Sequence, residues 1–147
     1  MPKQIFQSEL SAWGISQKHE RMENGELRFR LMGKDGSGYI RCENPGPPVW
    51  ENGHSHSSLQ ELVLVQHGAV VFVELRGKET KFTLLQEGDW AVTTPQVPHT
   101  ECVGGNAVVH TIKFGDCSNS DWIPSLELDA KTKSLSFEEA CQKCQSR

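Results

Sequence analysis

The stretch NGHSHSSLQELVLVQHG, residues 52–68, sets His54 and His56 two residues apart, Glu61 five residues further on, and a glycine at the close of an apolar run. Imidazole nitrogens and a carboxylate oxygen are donors that suit divalent transition metals. In a strand, residues two apart point to the same face, so one strand can present both imidazoles together. Glu61 stands at an odd offset from both and would face away if that strand ran on unbroken. The segment SSLQ supplies a bend, after which Glu61 opens a new strand and faces back towards the rings. Three donors from so short a stretch surround a metal poorly, so a fourth is needed from elsewhere. His99, in GDWAVTTPQVPHTE, is the candidate, because Pro95 and Pro98 stiffen its approach and leave it little conformational freedom.

These donors need a scaffold, and the chain offers short strands. ELRFRL alternates Leu27, Phe29 and Leu31 with Arg28 and Arg30, the period of a half-buried strand. GSGYIRCE, ELVLVQ, AVVFVEL, TKFTLL, DWAVTT, HTECV and AVVHTIKF follow, separated by turn residues, with a hairpin expected at Gly104-Gly105-Asn106. Strands this short and regularly spaced predict an antiparallel sandwich or barrel. Residues 1–25 are polar and mixed and read as an N-terminal arm. The barrel is expected over residues 26–116, and residues 117–147 form a tail. There Ser136 and Glu139 make a capping-box pattern that opens a short C-terminal helix. The whole is expected to be a single domain.

The two donor segments resemble the signature motifs of the cupin superfamily. The first motif has His-x-His, four residues, Glu, six residues and Gly, matched by His54, His56, Glu61 and Gly68; the second has Gly and, eleven residues later, His, matched by Gly88 and His99. The resemblance covers roughly residues 46–103. Pro48 stands where the family's opening glycine would fall, Thr94 and Gln96 replace the usual Pro and Gly, and Val103 replaces Asn. What the resemblance implies is an all-β double-stranded β-helix, or jelly roll. It also implies one divalent transition-metal ion, Fe, Mn, Ni, Co, Zn or Cu, held by His54, His56, Glu61 and His99. By the same analogy the protein is expected to be a homodimer.

Fifteen Lys and Arg against nineteen Asp and Glu give a net charge of −4 with no basic stripe, which argues against nucleic acid as a partner. No apolar run approaches the ~20 residues of a membrane helix, and MPKQIFQSEL lacks the regions of a secretory signal. A cytoplasmic protein with five reduced cysteines is therefore expected. Cys141 and Cys144, a C-x-x-C without a second pair, are expected on the tail helix.

His110 shares a strand face with Val108, Ile112 and Phe114. If that face looks into the barrel, His110 is a catalytic general base; the other reading is a hydrogen-bonded core histidine. The leading function is a metal-dependent enzyme on a small polar metabolite, of the sugar isomerase or lyase type. An Fe(II)-dependent dioxygenase and a non-catalytic small-molecule or metal-binding module are the alternatives.

Overall fold

A computed structural model describes residues 6–144. In chain order the elements are α1 (Gln7–Ala12), β1 (Ile15–Arg21), β2 (Leu27–Gly33), β3 (Gly38–Glu43), β4 (Val49–Trp50), β5 (His54–Ser55) and β6 (Leu59–His67). Then come β7 (Val70–Arg76), β8 (Glu79–Leu85), β9 (Trp90–Val92), β10 (His99–Val103), β11 (Val108–Gly115), β12 (Ile123–Pro124), α2 (Leu126–Thr132) and α3 (Phe137–Gln142). The strands form two antiparallel sheets, one in the order β1-β2-β3-β11-β6-β9 and the other β12-β5-β10-β7-β8, with β4 paired to β10. This is the expected all-β jelly roll.

Between the sheets, Cys42, Val63, Val65, Val70, Phe72, Leu85, Val103, Ala107 and Val109 form one core cluster. A second cluster lies on the outer side of β7, where Val71, Val73 and Leu75 meet Leu128 of α2 and Ala140 of α3. The continuous apolar run of β7 has its cause here: one face fills the barrel while the other is roofed by the tail. Cys141 and Cys144 pack against this second cluster, and all five cysteines are free thiols. The side chain of Ser136 caps α3 by accepting from the Glu139 amide, as its sequence pattern predicts.

Three local expectations are corrected. Residues 15–21, placed in an arm by their polarity, form β1 and pair with β2 along seven residues. Gly104-Gly105-Asn106 does not close a hairpin, because β10 and β11 belong to different sheets and the turn carries the chain across the barrel wall. The tail holds two helices and the short strand β12, which pairs with β5. The first five residues of the expected arm and the last three of the tail lie outside the described residues. Among those described, no helix is long and apolar enough to cross a membrane.

Candidate metal centre

Pairing of β5 with β10 sets His54 directly opposite His99. His56 lies just past β5, in the bend that leads into β6, and Glu61 faces inward from β6 in the other sheet. The strand begins at Leu59, two residues before the expected start, yet the bend does turn the carboxylate back towards the rings. Thr93 holds the backbone of Glu61 from the neighbouring strand end, its hydroxyl accepting from the Glu61 amide at 2.8 Å.

The four sequence-predicted donors come together. Glu61 carboxylate oxygens lie 3.0 Å from His99 Nε2, 3.3 Å from His56 Nε2 and 3.9 Å from His54 Nε2. One donor atom from each residue lies within 4.8 Å of all the others, a grouping that could hold a metal ion. Each ring turns Nδ1 to a backbone carbonyl: His54 to Asn52 at 2.9 Å, His56 to Asp121 at 2.5 Å and His99 to Val97 at 3.3 Å. A carbonyl only accepts, so each Nδ1 carries a proton and each Nε2 is the atom turned to the carboxylate. His56 Nε2 is buried and has no hydrogen-bond partner. A polar atom so placed costs about 1–3 kcal/mol unless something binds it, and a divalent ion fits a set of three such nitrogens and one carboxylate.

The electrostatics agree with a cation-ready site. Burial, aided by the nearby His99, pushes His54 down to about 4, so its ring is neutral at ordinary pH. Burial would raise Glu61, but His56 and His99 outweigh it and hold the carboxyl well below its usual range. For His56 the order is reversed: burial would lower it, and Glu61 with the Asp121 carbonyl raises it instead.

Residues 116–122 strap the ligand loop from outside. Beyond the Asp121 carbonyl, the Asp121 carboxylate accepts from the Ser57 amide at 2.9 Å, Ser58 Oγ donates to the Asp116 carbonyl at 2.9 Å, and Asn119 donates to Ser57 Oγ at 3.1 Å. Trp122 stacks on His54 with ring centroids 5.1 Å apart. Nothing in the sequence spacing marks Asp121 as the residue that orients His56, since the contact spans 65 residues.

A cavity of about 1020 Å³ opens beside the centre, lined by His54, Glu61, His99, Glu101, Lys113 and Arg28 among others. In its wall Arg28 donates to Glu26 at 2.9 Å and to Glu51 at 2.8 Å, and the Cys42 thiol donates to Glu26 at 2.8 Å. Glu26, Cys42 and Glu51 also form a grouping that could face a cation, and Arg28 is that cation. Burial raises Glu51 well above the usual carboxyl range. Burial also acts to raise Glu26, but the Arg28 charge and the Cys42 and Asn24 donors outweigh it. Glu101 is pushed up to about 8, by burial first and then by the charges of Glu61 and Glu26.

His110 does not reach this cavity. On β11 the cavity is lined by Val109, Thr111 and Lys113, the opposite face from His110. The Tyr39 hydroxyl donates to His110 Nδ1 at 2.7 Å, and Nε2 donates to the Gln66 amide oxygen at 2.6 Å. The face that His110 shares looks outward: Ile112 beside it is 46% exposed. The residues that sequence reasoning missed, Arg28 and Lys113, are the polar partners in that alternation.

No protein-family model and no curated protein matches the chain. Solved structures do. A double-stranded β-helix protein from Klebsiella pneumoniae subsp. pneumoniae matches with a TM-score of 0.59 at 16% identity, over 84% of this chain and 98% of its own. Oxalate decarboxylase from Bacillus subtilis matches with a TM-score of 0.60 at 13% identity, over 87% of this chain and 37% of its own. Hydroxypropylphosphonic acid epoxidase from S. wedmorenis, in complex with fosfomycin, gives a TM-score of 0.53 at 14% identity, over 67% of this chain and 55% of its own. This chain thus spans about half the length of the epoxidase and just over a third of the decarboxylase. An FeII form of HppE and the Mn(II) centres of the Bacillus decarboxylase are among the matching structures. At these identities the likeness is one of fold, and it agrees with the two-sheet topology: the chain has the cupin fold, a double-stranded β-helix with a His3Glu cluster between its sheets.

Proposed function

We propose that this protein is a metal-dependent enzyme acting on a small polar metabolite, with one divalent transition-metal ion held by His54, His56, Glu61 and His99. The observation that carries the reading is the convergence of the buried His56 Nε2, which makes no hydrogen bond, with the His54 and His99 rings and the Glu61 carboxylate beside an open cavity. A site meant only to stabilise the fold would be closed on all sides. When bound, such an ion would polarise a carbonyl or hydroxyl oxygen of the substrate.

The chain's own residues supply the rest. The Asn52, Asp121 and Val97 carbonyls fix the three rings, so binding needs little reorganisation. The strap over residues 54–58 keeps water from the back of His56, which is 2% exposed. Glu101 lines the cavity and keeps its proton near neutral pH, which suits it to donate a hydrogen bond to a substrate oxygen.

Isomerase or lyase chemistry is the first reading. The FeII form of HppE pairs this fold with iron, which keeps a second reading in play, an Fe(II)-dependent dioxygenase. The test is elemental analysis of protein purified without added metal, followed by anaerobic loading with Fe(II) or Mn(II) and a screen of polar metabolites. Turnover without oxygen consumption supports the first reading, and substrate-dependent oxygen consumption by the Fe(II) form supports the second. Saturable binding with no turnover in any metal form would replace both with a binding module.

A further inference from the structure

Among the described residues, three of the five cations that line the cavity have a carboxylate partner outside the metal centre. Arg28 is held by Glu26 and Glu51, Arg30 by Glu20, and Lys133 lies 3.8 Å from Asp129. Arg21 sits exposed at the rim and donates to the Gly25 carbonyl. Lys113 is different. Its side chain is only 16% exposed, and its one carboxylate neighbour among the described residues is Glu61, with Nζ 3.8 Å from Oε1. Cross-strand pairing of β11 with β6 places Lys113 directly beside Glu61, so the juxtaposition is built into the sheet and does not depend on a loop.

This arrangement has a consequence that rests on the metal reading above. A carboxylate that ligates a divalent ion spends its charge on that ion. Lys113 then keeps a largely buried ammonium with no counter-charge, next to a centre that carries net positive charge. Such a charge is costly unless an anion joins it. From this we infer that Lys113 is the anion-binding side chain of the cavity and that the substrate is a small carboxylate. Thr111, two residues away on the same face of β11, lines the cavity alongside it and offers a hydroxyl to the same ligand.

Cobalt-substituted protein tests this through its visible spectrum, with no need to know the reaction. Malonate and its uncharged relative malonamide are the probes. Malonate should shift the wild-type spectrum saturably and bind at least about 10-fold more tightly than malonamide, the usual worth of a charge-assisted contact. Lys113→Met should weaken malonate by about 10-fold or more while leaving cobalt content and malonamide binding at wild-type values, and Lys113→Arg should recover most of the malonate affinity. Equal malonate affinity in wild type and Lys113→Met, or malonamide binding as well as malonate, overturns the assignment. Cobalt content is read first: a wild-type protein that takes up no cobalt overturns the metal reading and this inference together. A fully loaded protein whose anion binding ignores Lys113 overturns only the inference.

Discussion

The strap that orients His56 rests on the turn between β2 and β3, and this gives a prediction at a residue outside the metal centre. Gly36 has φ +84°, and a Cβ built there would lie 2.5 Å from the Cys117 carbonyl oxygen and 2.9 Å from Ser120 Cβ. Gly36→Ala therefore carries two costs. An L residue in the left-handed region costs roughly 1–2 kcal/mol, and the methyl must open a gap of about 0.9 Å against backbone to reach ordinary contact at 3.4 Å. The strap is the part that can yield. It donates or accepts every hydrogen bond described above between residues 116–121 and the ligand loop, including the 2.5 Å bond from His56 Nδ1 to Asp121. Losing a partner that orients a metal-bound histidine lowers metal affinity about 10–100-fold. Gly77 is the control: it also has positive φ, +63°, but a Cβ there meets nothing within 4 Å. Calorimetric titration with Mn(II) should show a 10–100-fold weaker Kd for Gly36→Ala. Gly77→Ala should lose only the roughly 1–2 kcal/mol of the left-handed backbone, with Kd unchanged. Equal Mn(II) affinity in the two variants would refute the reasoning that the strap controls the site.

Glu101 predicts a pH effect on stability in chelator-treated protein. Its folded-state pKa of about 8 lies above the ordinary carboxyl value of 4.5, so its contribution is fully present below about pH 4.5 and is lost as pH rises through about 8. Each pH unit in that window costs up to about 1.4 kcal/mol. In urea unfolding the wild type should therefore lose stability from pH 5 to pH 8.5, by an amount on the order of a few kcal/mol. Glu101→Gln should lose less, with Glu51, which burial also raises, accounting for the remainder, and parallel pH profiles would exclude Glu101 as a contributor. For His110→Gln, the lost bonds to Tyr39 and Gln66 are half-exposed, so we expect about 1–2 kcal/mol of destabilisation with metal content unchanged. A variant of normal stability that no longer holds metal would contradict its placement on the outer face.

The metal donors were legible in the sequence because their geometry is local. His54 and His56 share a strand end, the bend before Glu61 is written in small polar residues, and the prolines before His99 fix an extended approach. The two sheets were legible too, from strand lengths and turns. The alternation alone did not show which side of a strand points into the barrel. In β2 the inward side chains are Arg28 and Arg30, while Phe29 is 38% exposed; in β11 they are Thr111 and Lys113, while Ile112 and Phe114 face out. Where the strands enclose the polar cavity the pattern is inverted, and around Val63 and Val65, packed in the apolar cluster, it follows the usual rule. The strap lay beyond reach for another reason: its bonds join segments more than 55 residues apart, and no periodicity encodes them.

The central claim is that one ion binds at His54, His56, Glu61 and His99. Its most direct test is electron paramagnetic resonance of Mn(II) added stepwise to chelator-treated protein, with the free-ion signal read against protein concentration. Wild type should remove one Mn(II) per chain from solution, while His56→Ala and His99→Ala should keep the β-rich circular dichroism spectrum and leave the ion free. Stoichiometric binding that survives in both variants, or no tight binding by the wild type, would contradict it.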